Sequence, residues 1–247
     1  MHNFCVSLTT IPSRFNSVAY TVEALNKQTR QPDKIFLNIP KEYKRFPNNN
    51  FDISGLLNIK SKNLEIVRCD DFGPGTKLLG SINSYTNYDY VILIDDDHIY
   101  KPEMLEIFYN HASKSLESAY SFAVFDIEDC KVGQGADGYL INVKHLNSIL
   151  NFYKKYVSHD EKLFFNDDLW ISIYLNKVLK IDIKNLSSFI KKRFFSKSTS
   201  VYKKHTTVSA LIETYSKNRK EARKLKYIEN CDTYLSLKEK TNNFTDL

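Results

Sequence analysis

Residues 91–97 read Val-Ile-Leu-Ile-Asp-Asp-Asp, an apolar run that ends in three adjacent carboxylates. The apolar run is rich in β-branched side chains and predicts a buried strand whose carboxyl end opens at a crevice. Three carboxylates crowded there repel one another unless a hard cation neutralises them, and oxygen ligands suit Mg²⁺ or Mn²⁺. A solvated loop or a helix cap is the alternative explanation for such an acidic cluster.

The residues after this cluster favour a ligand site. Lys101-Pro102-Glu103 is typical of the start of a helix, because Pro fits a first-turn position and Glu lies beside the positive end of the helix dipole. The three aspartates then occupy a strand-to-helix loop, which is where α/β enzymes bind ligands. This placement predicts a cation that carries a phosphate-bearing ligand.

The composition indicates one soluble α/β domain with an appendage. The chain has 247 residues and a net charge of +6, which is compatible with anionic substrates, nucleic acid or an anionic membrane surface. Its four cysteines lack Cys-x-x-Cys spacing, which argues against a zinc site or a disulfide framework. We find no signal-peptide pattern and no apolar run of about 20 residues. We therefore expect a cytoplasmic protein.

Strands and helices alternate along the chain, which predicts a mostly parallel sheet flanked by helices. A helix with Ser17 as its cap should follow the first strand, and a short helix over residues 77–83 should follow a Gly-Pro-Gly turn. The loop after the first strand, Asp70-Asp71 and the Asp triplet should meet at one sheet edge. The expected strands are residues 4–8, 34–39, 64–68, 90–94 and 119–126.

Two later segments also carry polar signals. Residues 133–138 hold three of the seven glycines, which indicates positive φ or close approach to a ligand; a bulged hairpin explains them equally well. Asn166, Asp167 and Asp168 open an amphipathic helix, and taken alone these carboxylates are structural. From about residue 187 the chain is basic and aromatic, and a charged helix is expected over residues 208–226.

The order of these motifs resembles nucleotide-sugar-dependent glycosyltransferases of the GT-A fold, similar to family 2 and to small viral and bacterial enzymes of that type. The resemblance covers about residues 3–207. It implies an α/β, Rossmann-like GT-A domain over residues 1–207 and a basic, partly helical extension over residues 208–247. The matching segments are 24–29 and 32–35 (first helix and second strand), 94–97 (Asp-x-Asp), 133–138 (glycine loop) and 166–168 (x-Glu-Asp).

The resemblance implies a transferase of the hexosyltransferase type (EC 2.4) in glycan biosynthesis. It would use Mn²⁺ or Mg²⁺ and move a sugar from a nucleotide-sugar donor, with UDP favoured, to a glycan, glycoprotein or glycolipid. Asp168 would be the general base, which predicts inversion of configuration, and its position at a helix N-terminus should lower its pKa. The implied donor-site residues are Thr9, Arg14, Asp71, Lys77, Asp95, Asp96 and Asp97, and the implied metal ligands are Asp97, Asp95 and His205.

The sequence leaves the nucleobase, two residue roles and one alternative enzyme class undetermined. The acidic loop usual after the second strand is replaced by residues 38–41, Asn-Ile-Pro-Lys, so the nucleobase is not identified. Asp167 replaces the family's Glu and is expected to orient or cap, and His205 fits a surface residue as well as a ligand. A nucleotidyltransferase is an alternative, although residues 9–14 lack its phosphate-binding glycines.

A non-enzymatic alternative is a module that binds nucleic acid or an anionic membrane. The basic, aromatic residues 190–202 favour it in part. The acidic clusters would repel phosphate without a metal, so no nucleic-acid partner is expected. Peripheral membrane contact through the basic C-terminal region remains an open alternative.

Overall fold

A computed structural model describes residues 2–47, 51–112, 114, 117–189, 202–204 and 218–244. These residues form eleven β-strands, and the first four expected strands are confirmed with ends that differ by one residue. The strands are β1 (Phe4–Thr9), β2 (Lys34–Pro40), β3 (Leu64–Cys69), β4 (Tyr90–Leu93), β5 (His98–Tyr100), β6 (Ser118–Ser121), β7 (Val124–Ile127), β8 (Cys130–Gly133), β9 (Tyr139–Asn142), β10 (Asp182–Asn185) and β11 (Tyr202–Lys204).

Seven strands form one central sheet in the order β10-β6-β9-β4-β1-β2-β3. Neighbouring strands are parallel except at β9, which runs antiparallel to both β4 and β6. Strands β5 and β11 form an antiparallel pair, and β7 and β8 form a hairpin. The predicted α/β class with a mostly parallel sheet is therefore confirmed.

Strand β4 lies between β1 and β9 in the sheet, so both of its edges are paired, and apolar side chains cover both of its faces. Its residues alternate between the two faces of the sheet, as the period of two in a strand requires. Val91 and Leu93 pack in one apolar cluster, and Tyr90 and Ile92 pack in the other. This burial on both sides explains why the strand is apolar throughout and why the first polar residue, Asp95, marks its exit from the core.

Helices cover the sheet and supply several walls of the cavity described below. Helices α5 and α7 continue as π-helical turns over residues 153–157 and 174–178. Within the described ranges, no helix is both long and apolar enough to cross a bilayer. The α-helices are α1 (Val18–Asn26), α2 (Ser54–Leu57), α3 (Thr76–Leu79), α4 (Met104–Ala112), α5 (Ile149–Phe152), α6 (Glu161–Phe164), α7 (Asp167–Ile173) and α8 (Arg219–Lys240).

Three local predictions were wrong. The expected strand over residues 119–126 is divided into β6 and β7, because Ser121 Oγ donates to the carbonyl of Ala123 and the chain turns out of the central sheet there. Strand β5 intervenes between the aspartate cluster and α4, because residues 98–100 pair with β11. Ser17 Oγ donates to the carbonyl of Arg14 instead of capping α1.

The turn after β3 holds a shorter α-helix than expected. The predicted helix over residues 77–83 is α3, which ends at Leu79 and is followed by a 3-10 turn over residues 82–87. The N-terminal half of this segment is thus helical, and Lys77 lies within it. Its side chain is therefore carried by a short rigid element that packs on β1 and β2.

The C-terminal helix packs on the β7–β8 side of the domain. Tyr234 and Leu237 are buried in the apolar core, and Tyr234 Oη donates to Asp129 Oδ1 over 2.6 Å. Hydrogen bonds from Lys177 and Tyr234 hold the pKa of Asp129 below its ordinary value. The helix continues to Lys240, well beyond the expected end at residue 226, while residues 208–217 lie outside the described part of the chain. A domain boundary at residue 207 stays a prediction.

Candidate active site

The carboxyl ends of β1, β3 and β4 open on a cavity of about 700 Å³. Parallel strands bring the residues that follow them to one edge of the sheet, and the loops there form the cavity floor. Helices α3 and α7 add one wall each. Eight predicted site residues line this cavity: Thr9, Arg14, Asp71, Lys77, Asp95, Asp96, Asp97 and Asp168. The ninth, His205, lies outside the described residues.

The three aspartates after β4 point to different partners. Asp96 is buried, and its carboxylate accepts hydrogen bonds from Thr10 Oγ1 and, over 2.7 Å, from Arg14 Nη1. Burial raises the pKa of Asp96, although Arg14 acts in the opposite direction. Asp96 therefore holds the loop after β1 against the loop after β4. Arg14 Nη2 also lies 3.6 Å from Asp97 Oδ2.

Asp95 and Asp97 form a group with His98 whose geometry suits a divalent cation. One ligand atom of each residue lies within 4.8 Å of the other two, and Asp97 and His98 are buried. Two carboxylates and an imidazole are donors that Mn²⁺ accepts, and Mg²⁺ favours the oxygens alone. The donor set therefore fits a divalent metal ion. His98 was missed in the sequence, although its position directly after the triplet was the available signal.

Lys77 is enclosed by carboxylates. Its ammonium contacts Asp95 and lies 3.0 Å from Asp167 Oδ2, and the side chain is only 6% exposed. Burial alone would lower the pKa of Lys77, but Asp167 and Asp95 raise it well above its ordinary value. Lys77 therefore remains charged and links the Asp cluster to the first turn of α7.

Asp168 lies in that first turn of α7 and faces the cavity. Its Oδ1 accepts a hydrogen bond of 2.8 Å from the amide of Gly135. Burial and the neighbouring charge of Asp167 raise the pKa of Asp168 to about 7, even though Lys77 acts to lower it. The expectation that the helix dipole would lower this pKa was wrong, because desolvation and a like charge outweigh the dipole.

The glycine loop lies directly beneath Asp168. It is a 3-10 turn over residues 135–137 between β8 and β9, which belong to different sheets, so the hairpin alternative was wrong. A Cβ on Gly135 would lie 3.0 Å from Lys77 Nζ and 3.3 Å from Asp168 Oδ1. Gly138 has a φ of 84°, which glycine adopts without strain. The loop thus brings a backbone amide to the Asp168 carboxylate.

The remaining predicted residues shape the opposite side of the cavity. Thr9 Oγ1 donates to the carbonyl of Asn38 over 2.8 Å. Asp71 accepts backbone hydrogen bonds from Lys44 and Gly73, over 2.7 and 2.8 Å, so it ties the loop after β2 to the turn before α3. This arrangement places Tyr43 and Phe46 of that loop in the cavity wall. Neither aromatic residue was identified from the sequence.

Helix α8 supplies four further lining residues that the sequence did not reveal, because the helix returns from more than fifty positions farther along the chain. Asn230 Oδ1 accepts a hydrogen bond of 2.6 Å from Asn166 Nδ2, immediately before the two carboxylates of α7. The C-terminal segment is thereby attached to the residue that opens α7. The four residues are Arg223, Lys226, Tyr227 and Asn230.

No protein-family model matches the sequence, and no curated protein matches it at a significant level. Solved structures do match. The mannosyltransferase PcManGT from Pyrobaculum calidifontis, in complex with GDP-Man and Mn²⁺, is similar at a TM-score of 0.54 and 10% identity, covering 98% of this chain and 73% of that one. This chain has a GT-A fold. S. aureus TarS 1–349 is similar at a TM-score of 0.50 and 12% identity, with the same coverage of 98% and 73%.

These similarities establish the fold alone, because the identities are too low to carry over an activity. The chain spans 35% of the length of a longer S. aureus TarS structure, which it matches at a TM-score of 0.49. The GT-A fold predicted from the motif order is confirmed. The Asp cluster and the α7 carboxylates lie at the sheet edge where open α/β folds generally bind ligands.

Proposed function

We propose that this protein is a metal-dependent glycosyltransferase that transfers a sugar from a nucleotide-diphosphate donor, with UDP favoured, to an acceptor hydroxyl. One observation carries the proposal: a single cavity combines the Asp95-Asp97-His98 group with Asp168, a carboxyl group whose pKa is raised to about 7. A metal group and a base on facing elements are what this transfer requires. The fold shared with a mannosyltransferase solved with GDP-Man and Mn²⁺ supports the proposal.

In this proposal Asp95, Asp97 and His98 hold Mn²⁺ or Mg²⁺. The ion held by these residues would supply positive charge to neutralise the leaving diphosphate without a proton transfer. Arg14 approaches Asp97 and is able to add a second positive charge beside the phosphates. His205 stays a predicted ligand, since it lies outside the described residues. Lys77, which the carboxylates keep charged, would contact the diphosphate from its position in α3.

Asp168 acts as the general base. The acceptor oxygen forms its bond to the anomeric carbon, the bond from that carbon to the diphosphate oxygen breaks, and the acceptor proton passes to the Asp168 carboxylate. The nucleoside diphosphate leaves with its electron pair. Attack from the face opposite the leaving group inverts the anomeric configuration. A carboxylate with a pKa near neutrality is a stronger base than an exposed aspartate, and its ionised fraction grows as the pH rises through about 7.

In this proposal the donor nucleoside binds on the side of the cavity formed by β1, β2 and β3. Thr9 and Asp71 offer polar contacts there, and Tyr43 and Phe46 offer ring surfaces to a nucleobase. Asp96 holds the loop that carries Arg14 and so acts on the donor site through Arg14. UDP is preferred as the most common nucleotide among similar transferases; none of the described residues is identified as one that selects uracil.

Thermal unfolding against a panel of nucleotide sugars, with and without Mn²⁺, tests the proposal. We expect one nucleotide to raise the unfolding temperature only when Mn²⁺ is present, because donor and metal bind together. The same donor should then be hydrolysed or transferred with release of the nucleoside diphosphate. Release of sugar 1-phosphate, with the nucleoside monophosphate passed to an acceptor, would instead identify a nucleotidyl transfer. A protein that gains no stability from any nucleotide with Mn²⁺ would contradict the proposal.

A further inference from the structure

Besides Arg14 and Lys77, three cationic side chains line the same cavity as the acidic residues. Arg45 comes from the loop after β2, and Arg223 and Lys226 come from α8. All three are exposed, and no carboxylate among the described residues forms an ion pair with them. An exposed cation that faces a cavity without a counter-charge is available to a ligand. The cavity therefore has an acidic floor and a basic rim.

The two cations of α8 lie on the helix face that borders the cavity. Residues 226, 227 and 230 follow residue 223 by three, four and seven positions, which is the spacing of a single helix face. Lys220 and Lys224 belong to the same helix but do not line the cavity. The side chains of Arg223, Lys226 and Tyr227 therefore line the cavity, whereas those of Lys220 and Lys224 do not.

Both basic elements contact the segment that carries the general base. The Asn230–Asn166 hydrogen bond joins α8 to the start of α7, and the Arg45 guanidinium lies 5.2 Å from the centre of the Phe165 ring, a cation–π distance. Residues 165 and 166 directly precede Asp167 and Asp168. An acceptor hydroxyl must come within hydrogen-bond reach of its base, so the basic rim borders the acceptor side.

The donor phosphates have other partners in this cavity. The metal group and Arg14 lie in the loops after β4 and β1, and Lys77 reaches Asp95 from α3. We propose that Arg45, Arg223 and Lys226 bind an acceptor glycan that carries negative charge, as phosphate or carboxylate groups. The rings of Phe165 and Tyr227 would contact the apolar faces of its sugars. This inference rests on the proposed transferase function and names the chemical class of its acceptor.

Calorimetric binding of three oligosaccharide probes to the full chain tests this inference. Trigalacturonate and a maltotriose phosphate are the two anionic probes, and unmodified maltotriose is the neutral one. We expect each anionic probe to bind about tenfold more tightly than maltotriose at low salt, with the advantage lost at high salt. If trigalacturonate has the lower dissociation constant, the acceptor carries carboxylates; if the maltotriose phosphate has it, the acceptor carries phosphate. Equal binding of all three probes would overturn the inference.

Matched charge variants locate the effect. Arg223→Gln/Lys226→Gln should remove the advantage of the anionic probes, while Lys220→Gln/Lys224→Gln, which loses the same charge from the same helix, should keep it. The dissociation constant of UDP with Mn²⁺ should be the same in both. If Arg223→Gln/Lys226→Gln weakens UDP and leaves the probes unaffected, the cations serve the donor and the inference fails. Probe binding needs no nucleotide, so a chain that binds the probes but no nucleotide in the presence of Mn²⁺ would refute only the transferase proposal.

Discussion

The Nζ atom of Lys77 lies 3.0 Å from Oδ2 of Asp167, and both side chains are largely buried. This ion pair joins the turn after β3 to the helix that carries Asp168. Lys77 also contacts Asp95, so one ammonium group connects the metal side of the cavity with the base side. Its charge offsets carboxylates that would otherwise repel one another at the bottom of the crevice.

Replacing Lys77 by methionine should destabilise the fold. The buried Asp167 and the partly buried Asp95 would lose their counter-charge, which costs about 3–5 kcal/mol in the free energy of unfolding. Urea denaturation without metal measures the loss, and Lys77→Met/Asp167→Asn should recover part of it. Lys131→Met removes an exposed pair with Asp182 and should cost less than about 1 kcal/mol. Equal losses in the two single variants would show that Lys77 is not an electrostatic link.

Asp97→Asn and His98→Ala should each weaken Mn²⁺ binding by at least about tenfold, because the first removes a ligand's negative charge and the second removes a ligand. The electron paramagnetic resonance signal of free Mn²⁺ reports this affinity without any need for turnover. Glu65→Gln, a change in a surface pair on β3, serves as the control and should bind Mn²⁺ as the unmodified protein does. Unchanged affinity in His98→Ala would remove His98 from the metal group.

The transfer rate should depend on pH through Asp168. A base acts only when deprotonated, and burial with the Asp167 charge raises its pKa to about 7, so kcat/KM should fall as the pH drops below this region. Bound Mn²⁺ favours the ionised form and should move the midpoint to between about pH 5 and 7. Initial rates at saturating Mn²⁺ measure the profile. A rate that stays constant down to pH 4.5 would be inconsistent with a raised pKa.

Asp168→Asn should increase the stability of the metal-free protein at pH 8. The pKa of Asp168 in the folded state lies above the ordinary aspartate value, so ionising this carboxylate at high pH lowers the stability of the folded protein. The wild type regains that stability as the pH falls from about 7 toward about 4. We expect a gain of roughly 1–2 kcal/mol at pH 8 that shrinks at pH 5, measured by thermal unfolding. The exposed Asp126→Asn change should show no such trend. Lower stability of Asp168→Asn at pH 8 would argue against a costly charge.

Much of the site was predictable because most of its residues directly follow the carboxyl ends of parallel strands. The apolar run before Asp95 identified the buried strand β4, and parallel pairing placed the residues after β1, β3 and β4 at one edge. The helix-start pattern placed Asp168 in a first turn, while its role as a base was implied only by the family resemblance. These are short-range features, and they need only the period of a strand and the chemistry of helix ends.

The rest depended on contacts between distant parts of the chain. Nothing near Arg223 or Asn230 indicates that α8 returns to the cavity, since that position follows from the packing of Tyr234 and Leu237 against the core. The pKa of Asp168 was predicted in the wrong direction because the dipole is visible in the sequence, whereas desolvation is a property of the folded cavity.

The central claim is that Asp168 is the base of a metal-dependent sugar transfer. Its most direct test is the rate of nucleoside diphosphate release, with Mn²⁺ and the preferred donor and acceptor, by Asp168→Asn beside the unmodified protein. We predict that Asp168→Asn binds donor and Mn²⁺ with unchanged affinity and loses about 10²–10⁴-fold in kcat. Turnover by Asp168→Asn at the rate of the unmodified protein would contradict this account.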